Sequence, residues 1–213
     1  MSGRRPDLHF FLIVFRMASV LITAFEPYDR WTSNASWLAL VELLKDRPPF
    51  PTITTRLYPV EFQVVQRRLR EDLQTNYDVA LHLGQAPGSS RIQLEQIAVN
   101  IGGSSQQLPD EFQPLVADGP VAFRTPLPLT SWSAKLRRAG IPAQVSYHAG
   151  TYLCNAVMYY THYLAEQMGL KTQSAFIHLP IEPSQVLGLR EMMPSLPAIT
   201  AASAIRMILE DLA

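Results

Sequence analysis

The chain has 213 residues, of which 47% are hydrophobic; that suits one domain with a packed core and excludes global disorder. Charged residues are 17%, against roughly 25% in an average domain, which fits apolar surface hidden in an oligomer. Eighteen Lys+Arg balance 18 Asp+Glu, and the missing basic excess argues against a nucleic-acid binder.

The first residues loosely imitate a signal peptide. Arg4 and Arg5 precede the apolar run Phe10 to Phe15, which Arg16 ends. The run is shorter than an h-region of about 7–15 residues and far below the ~20 needed to span a bilayer. The expectation is therefore an N-terminal extension over 1–17, a single domain over 18–213, and no membrane segment.

Val20 to Phe25 reads as a strand buried on both faces. Ser33 or Asn34 then caps a helical pattern with Trp37, Leu38, Val41 and Leu44. Thr52 to Tyr58 is a second strand, stopped at Pro59. Glu61 to Gln74 is a helix with Phe62, Val65, Leu69 and Leu73 on one face. Val79 to Leu83 is a third strand, ending in the turn-rich Gly84 to Ser90. Leu94 to Ile101 is extended. Residues 102–129 show little periodicity, and so long a loop is usually functional or mobile. Ser131 to Arg138 is helical and stops at Gly140, and Ala143 to Tyr147 is a strand. Thr151 to Met168 is a long helix, Ser174 to Leu179 a strand, and the last helix runs from Pro197 towards Leu212. The alternation predicts an α/β fold: a three-layer sandwich with a mainly parallel twisted central sheet and helices on both faces. Ligand sites in such folds gather where strand ends meet loops.

Cys154 is the only cysteine, so an intrachain disulfide and a thiolate zinc cluster are excluded, in keeping with a reducing, cytoplasmic compartment. It follows a strand and the small-residue turn at Gly150, in the first turn of a predicted helix. Unpaired N–H groups there favour an anion and can hold an oxyanion, and the thiolate is the nucleophile. A small buried core cysteine is the equally weighted alternative. His178 stands near the end of its strand, facing a cleft as a base or packed in the core. His148 competes because it is closer in sequence. Glu95 sits in an apolar run, where a buried carboxylate needs a partner such as a histidine; the alternative is an outward-facing strand residue. The loop at Gly84 to Gly88 lacks the Lys-Ser/Thr of a P-loop, and there is no serine elbow and no H-E-x-x-H. His162 and Glu166, four apart, read as a surface pair rather than metal ligands.

Four segments together resemble the pyroglutamyl peptidase I family, also called pyrrolidone-carboxylate peptidases, from about Ala18 to the C-terminus. They are Gly84-Gln85-Ala86, Glu95 to Asn100, Ala149 to Asn155 and Phe176 to Pro180. The resemblance implies a cytosolic cysteine exopeptidase with no metal or organic cofactor, often a tetramer, acting on N-terminally blocked peptides. It implies Cys154 as nucleophile, His178 as base and then acid, and Glu95 as the residue orienting His178. It also implies a substrate pocket from Phe25, Tyr28 and Gln85, with aromatic faces around a flat lactam and backbone groups near Gln85 reading its N–H and C=O.

The departures surround the pocket and spare the three catalytic positions. The usual Gly-Phe-x-Pro-Phe-Gly-Gly is here Ala24-Phe25-Glu26-Pro27-Tyr28-Asp29-Arg30. Side chains in place of two glycines are expected to restrict φ > 0. Asn-Pro-Ser-Trp becomes Asn34-Ala35-Ser36-Trp37. One family arginine is replaced around Ser89, with Arg91 displaced, and a second falls at Ser105. The readings weighed beside the peptidase are an amidase with another acyl specificity and a non-catalytic binding module.

Overall fold

A computed structural model describes residues 18–104 and 106–213; the expected extension over 1–17 and the Ser105 position lie outside the described residues. In chain order the elements are β1 (Ser19–Phe25), α1 (Ala35–Lys45), β2 (Thr52–Tyr58), α2 (Phe62–Leu73), β3 (Val79–Gln85), β4 (Ile92–Glu95), β5 (Ile97–Val99), β6 (Ala122–Arg124), α3 (Leu129–Arg138), β7 (Ala143–Ser146), α4 (Leu153–Gln167), β8 (Gln173–Leu179) and α5 (Ala198–Glu210). Six strands form one sheet in the order β2-β1-β3-β8-β4-β7. Its ladders are parallel except β4–β8, which is antiparallel, so β4 and β7 run against the other four strands.

Helices cover both faces, as expected. α1, α3 and α5 bury Leu40, Leu43, Trp132, Leu136, Ile205 and Ile208 on one face. α2 and α4 bury Val65, Leu69, Leu73 and Val157 on the other. Each fully buried leucine of these seams contributes on the order of 1.5–3 kcal/mol. α4 is apolar almost all round because it lies between the sheet, α2 and the β5–β6 hairpin. None of the helices among the described residues is long and apolar enough to cross a membrane.

Three expectations change. The extended run from Leu94 breaks at Gln96: β4 stays in the main sheet and β5 pairs antiparallel with β6. Gln96 is the corner, donating its backbone N–H to Ser146 and its amide to the Thr125 carbonyl. The 102–129 segment therefore holds a strand, which a three-residue arm is too short to announce by periodicity. In α1 the buried face is Ala35, Ser36, Ala39, Leu40 and Leu43, one step round from the predicted stripe, and Trp37, Val41 and Leu44 are partly exposed. Asn34 is the cap of that helix: its Oδ1 accepts from the Ser36 N–H and hydroxyl. Finally, His162 is buried and stacks on Phe123, so it forms no surface pair with Glu166.

Candidate active site

The β3–β8 register pairs His82 with Phe176 and Gly84 with His178, and the β4–β8 register pairs Gln93 with His178 and Glu95 with Phe176. Side chains alternate along a strand, so these residues share one face of the sheet, the face that α4 covers. The first turn of α4 brings Cys154 down onto them. The turn before it depends on Gly150, whose φ of 80° is left-handed.

His178 Nδ1 lies 2.8 Å from Glu95 Oε1. Glu95 is fully buried, and its Oε2 has no hydrogen-bond partner among the described residues. A carboxylate so placed needs a cation beside it. Burial alone would pull the imidazole's pKa down, but the charge and hydrogen bond of Cys154, and then those of Glu95, outweigh it and push His178 up to about 10. With Nδ1 on the carboxylate, Nε2 is the nitrogen left for the sulfur. The three predicted residues thus meet, and the outward-facing alternative for Glu95 fails. His148 is exposed at the pocket wall, while the sulfur's imidazole partner is His178. Tyr152 caps α4 without a side-chain hydrogen bond, which leaves the first-turn N–H groups open beside the sulfur.

These residues line a cleft of about 600 Å³, together with Phe25, Tyr28, Gln85, Phe112 and Tyr152. Phe25, Tyr28 and Gln85, the three residues expected at a substrate pocket, all stand in the wall of this cleft. Phe112 comes from the loop after β5, which folds across the mouth: Gly103 donates to the Thr151 carbonyl at 2.9 Å, and Gly102 and Gln113 form a bridge. Asp29, where the family motif has glycine, does adopt a left-handed φ of 53°, which aspartate tolerates better than most residues. Arg91 donates to Gln144 at the sheet edge rather than lining the cleft. Burial, then the negative charges of Cys154 and Asp29, push the Tyr28 phenol up to about 12, partly offset by the Gln85 amide.

Two contributors went unread in the sequence. Gly84 leaves the space that the sulfur and the Phe176 ring occupy. Asn155 clamps the start of α4 to β5, accepting from Val99 N and donating to the Val99 and Ile101 carbonyls. Its place directly after the cysteine was the available signal.

The pyroglutamyl peptidase family profile matches residues 18–213. A pyrrolidone-carboxylate peptidase from Clavibacter michiganensis is 37% identical over 180 residues, covering 81% of this chain and 83% of the relative. One from Staphylococcus aureus is 35% identical over 183 residues, covering 84% and 85%. The crystal structure of the pyrrolidone carboxyl peptidase from Fervidobacterium islandicum superposes with a TM-score of 0.86 at 36% identity, covering 92% of this chain and 98% of that one. The chain belongs to the pyroglutamyl peptidase family.

Proposed function

We propose that this protein is a cysteine exopeptidase that hydrolyses the amide bond after an N-terminal pyroglutamyl residue. One observation carries the reading: an imidazole tied through Nδ1 to a buried carboxylate, with its other side against a cysteine at an uncapped helix start. In this reading the proton rests on His178 and the sulfur attacks as thiolate. The carbonyl electrons move to oxygen, and the N–H groups of the α4 first turn meet the oxyanion. When the intermediate collapses, His178 gives its proton to the leaving amine and a thioester remains on Cys154. Neutral His178 then takes a proton from water, whose oxygen attacks the thioester. Collapse releases pyroglutamate and restores the thiolate–imidazolium pair. Glu95 holds the ring in one orientation and stabilises its charged form throughout. Phe25 and Tyr28 flank the acyl group.

A fluorogenic pyroglutamyl amide is expected to be cleaved, and Cys154→Ser to abolish the cleavage. Persistent turnover in that variant would remove the sulfur from its role. A panel of other N-terminally blocked amides tests the acyl preference, which requires pyroglutamate to win. The same reading assigns a cytoplasmic site of action, since an unpaired nucleophilic thiol works in a reducing compartment; export of the native protein would contradict it. It also assigns a homo-oligomer, supported by the partly exposed apolar stripe Trp37, Val41 and Leu44 on α1, and sedimentation of the native chain tests it.

A further inference from the structure

The proposed reaction fixes which end of the cleft receives the leaving peptide. His178 protonates the leaving amine, so that nitrogen lies on the imidazole side of the sulfur. In the sheet, β1 and β3 lie on one side of β8, and β4 and β7 on the other. Phe25 ends β1, so an acyl group beside it lies over the β1–β3 side. On the opposite side, Gln93 of β4 is the register partner of His178 and shares its face of the sheet. Neighbouring strands are about 4.8 Å apart, little more than the ~3.8 Å between consecutive Cα atoms of a peptide. The first peptide unit beyond the scissile bond therefore reaches Gln93. The cleft, at about 600 Å³, is larger than a lactam ring, and both Gln93 and His148 line it.

The amide of Gln93 has one orientation. Ser89 Oγ donates its proton to the Arg91 carbonyl at 2.7 Å. Towards Gln93, at 3.0 Å, that oxygen can only accept, so the group facing it is the NH2. Gln93 Oε1 then points away from Ser89 and has no hydrogen-bond partner among the described residues. His148 stands on the turn after β7, the strand beyond β4, and is exposed. Its backbone N–H donates to Ser146 Oγ, and its ring has no hydrogen-bond partner among the described residues. An imidazole carries an N–H in either protonation state. This end of the cleft thus offers one acceptor and one donor that neither the fold nor the Cys154–His178–Glu95 set uses. A peptide unit presents the complement, one N–H and one C=O.

We propose that Gln93 and His148 form the leaving-group subsite: Gln93 Oε1 accepts the N–H, and the His148 ring donates to the C=O, of the first peptide unit after the bond that is cut. This extends the pyroglutamyl reading to the other side of the scissile bond and rests on it. A peptide gains two contacts here that an arylamide with the same acyl group lacks, so the pair makes the enzyme favour peptides.

The test compares kcat/KM on pyroglutamyl-alanyl-glycine amide with kcat/KM on a pyroglutamyl aminocoumarin amide. In the ratio, effects on acyl binding and on the triad cancel. His148→Phe keeps a ring and loses the N–H, and Gln93→Leu loses Oε1. Each is expected to lower the ratio about threefold to tenfold, the scale of one neutral hydrogen bond. Sarcosine in place of glycine removes the peptide N–H. It is expected to lower kcat/KM of the wild type and of His148→Phe by a similar factor, and that of Gln93→Leu far less. Unchanged ratios in both variants overturn the proposal, as does a sarcosine penalty equal in wild type and Gln93→Leu. If another blocked acyl group is cleaved and pyroglutamyl is not, the pyroglutamyl reading falls, and the same ratios on that acyl group decide the subsite. A protein that cleaves no blocked amide loses both.

Discussion

A Cβ on Gly84 would stand 3.2 Å from the Sγ of Cys154 and 2.4 Å from the Phe176 ring. Gly84 is also the β3 residue in register with His178. The absent side chain is therefore the space into which the sulfur and the Phe176 ring pack, one register position from the imidazole. Phe176 is fully buried and cannot swing into solvent. Gly84→Ala is expected to cost roughly 1–3 kcal/mol of stability, as overpacking does, and to lower turnover of the pyroglutamyl reporter about a hundredfold or more through displacement of the sulfur. Urea unfolding and the reporter assay on one preparation check both, and wild-type turnover in the variant would show that the sulfur sits elsewhere.

The layers and the strand order along the chain are legible in the sequence because β1, β3 and β8 are continuous apolar runs and Gly and Pro punctuate them. Cys154, His178 and Glu95 are legible as candidates because each breaks its local pattern: a thiol at a helix start, and two polar groups in apolar strands. Their meeting is not legible, since it depends on the reversed direction of β4, and direction leaves no trace in a four-residue strand. The turn at Gln96 is hidden for a related reason: its hydrogen bonds go to Ser146 and Thr125, both distant in sequence. The stripe on α1 misleads because Leu38, Val41 and Leu44 have helical spacing while the small Ala35, Ser36 and Ala39 are what fit against the sheet.

His178 is raised to about 10, so its charged form dominates through neutral pH. The sign follows from the direction of the shift. The stability it contributes is complete below its ordinary value of 6.5 and is lost as pH rises through about 10. Glu95→Gln keeps the shape but removes the carboxylate charge. It is expected to lower kcat/KM by about a hundredfold or more and to move the alkaline limb of the pH profile downward. A residue that only packed would lower the rate without moving that limb.

Beneath the site lies a histidine that the proposed reaction does not use. Thr161 donates its hydroxyl to the Val157 carbonyl at 2.8 Å, so at 2.9 Å from His82 Nε2 it accepts the ring proton. Nδ1 then accepts the Thr23 hydroxyl at 2.8 Å. His82 is thereby held neutral, and burial, with the nearby His162, lowers it to about 3; burial lowers His162 to about 4. Unfolding lets both take up protons, so their stabilising contribution is present above about 6.5 and is lost as pH falls through the folded values. The slope is about 1.4 kcal/mol per pH unit for each proton. Urea unfolding at several pH values between 7 and 4 is expected to show this decline, and a flatter one in His162→Gln. Equal slopes would mean that His162 is protonated in the native protein.

Asn155 uses one amide as a second strand edge. It accepts from Val99 N at 2.8 Å and donates to the Val99 and Ile101 carbonyls, each at 2.9 Å. Because it adjoins Cys154, this clamp sets the height of the first α4 turn over His178. Asn155→Asp has the same shape but presents two acceptors where the carbonyls need donors, and it adds a buried negative charge beside the thiolate. Loss of these bonds in a buried site is expected to cost about 3 kcal/mol. Asn155→Ala removes the bonds without the charge. If the clamp positions the nucleophile, Asn155→Ala lowers kcat far more than it raises KM, and Asn155→Asp additionally slows Cys154 alkylation by iodoacetate more than by neutral iodoacetamide. Equal changes in kcat and KM for the alanine variant would confine Asn155 to holding the helix in the fold.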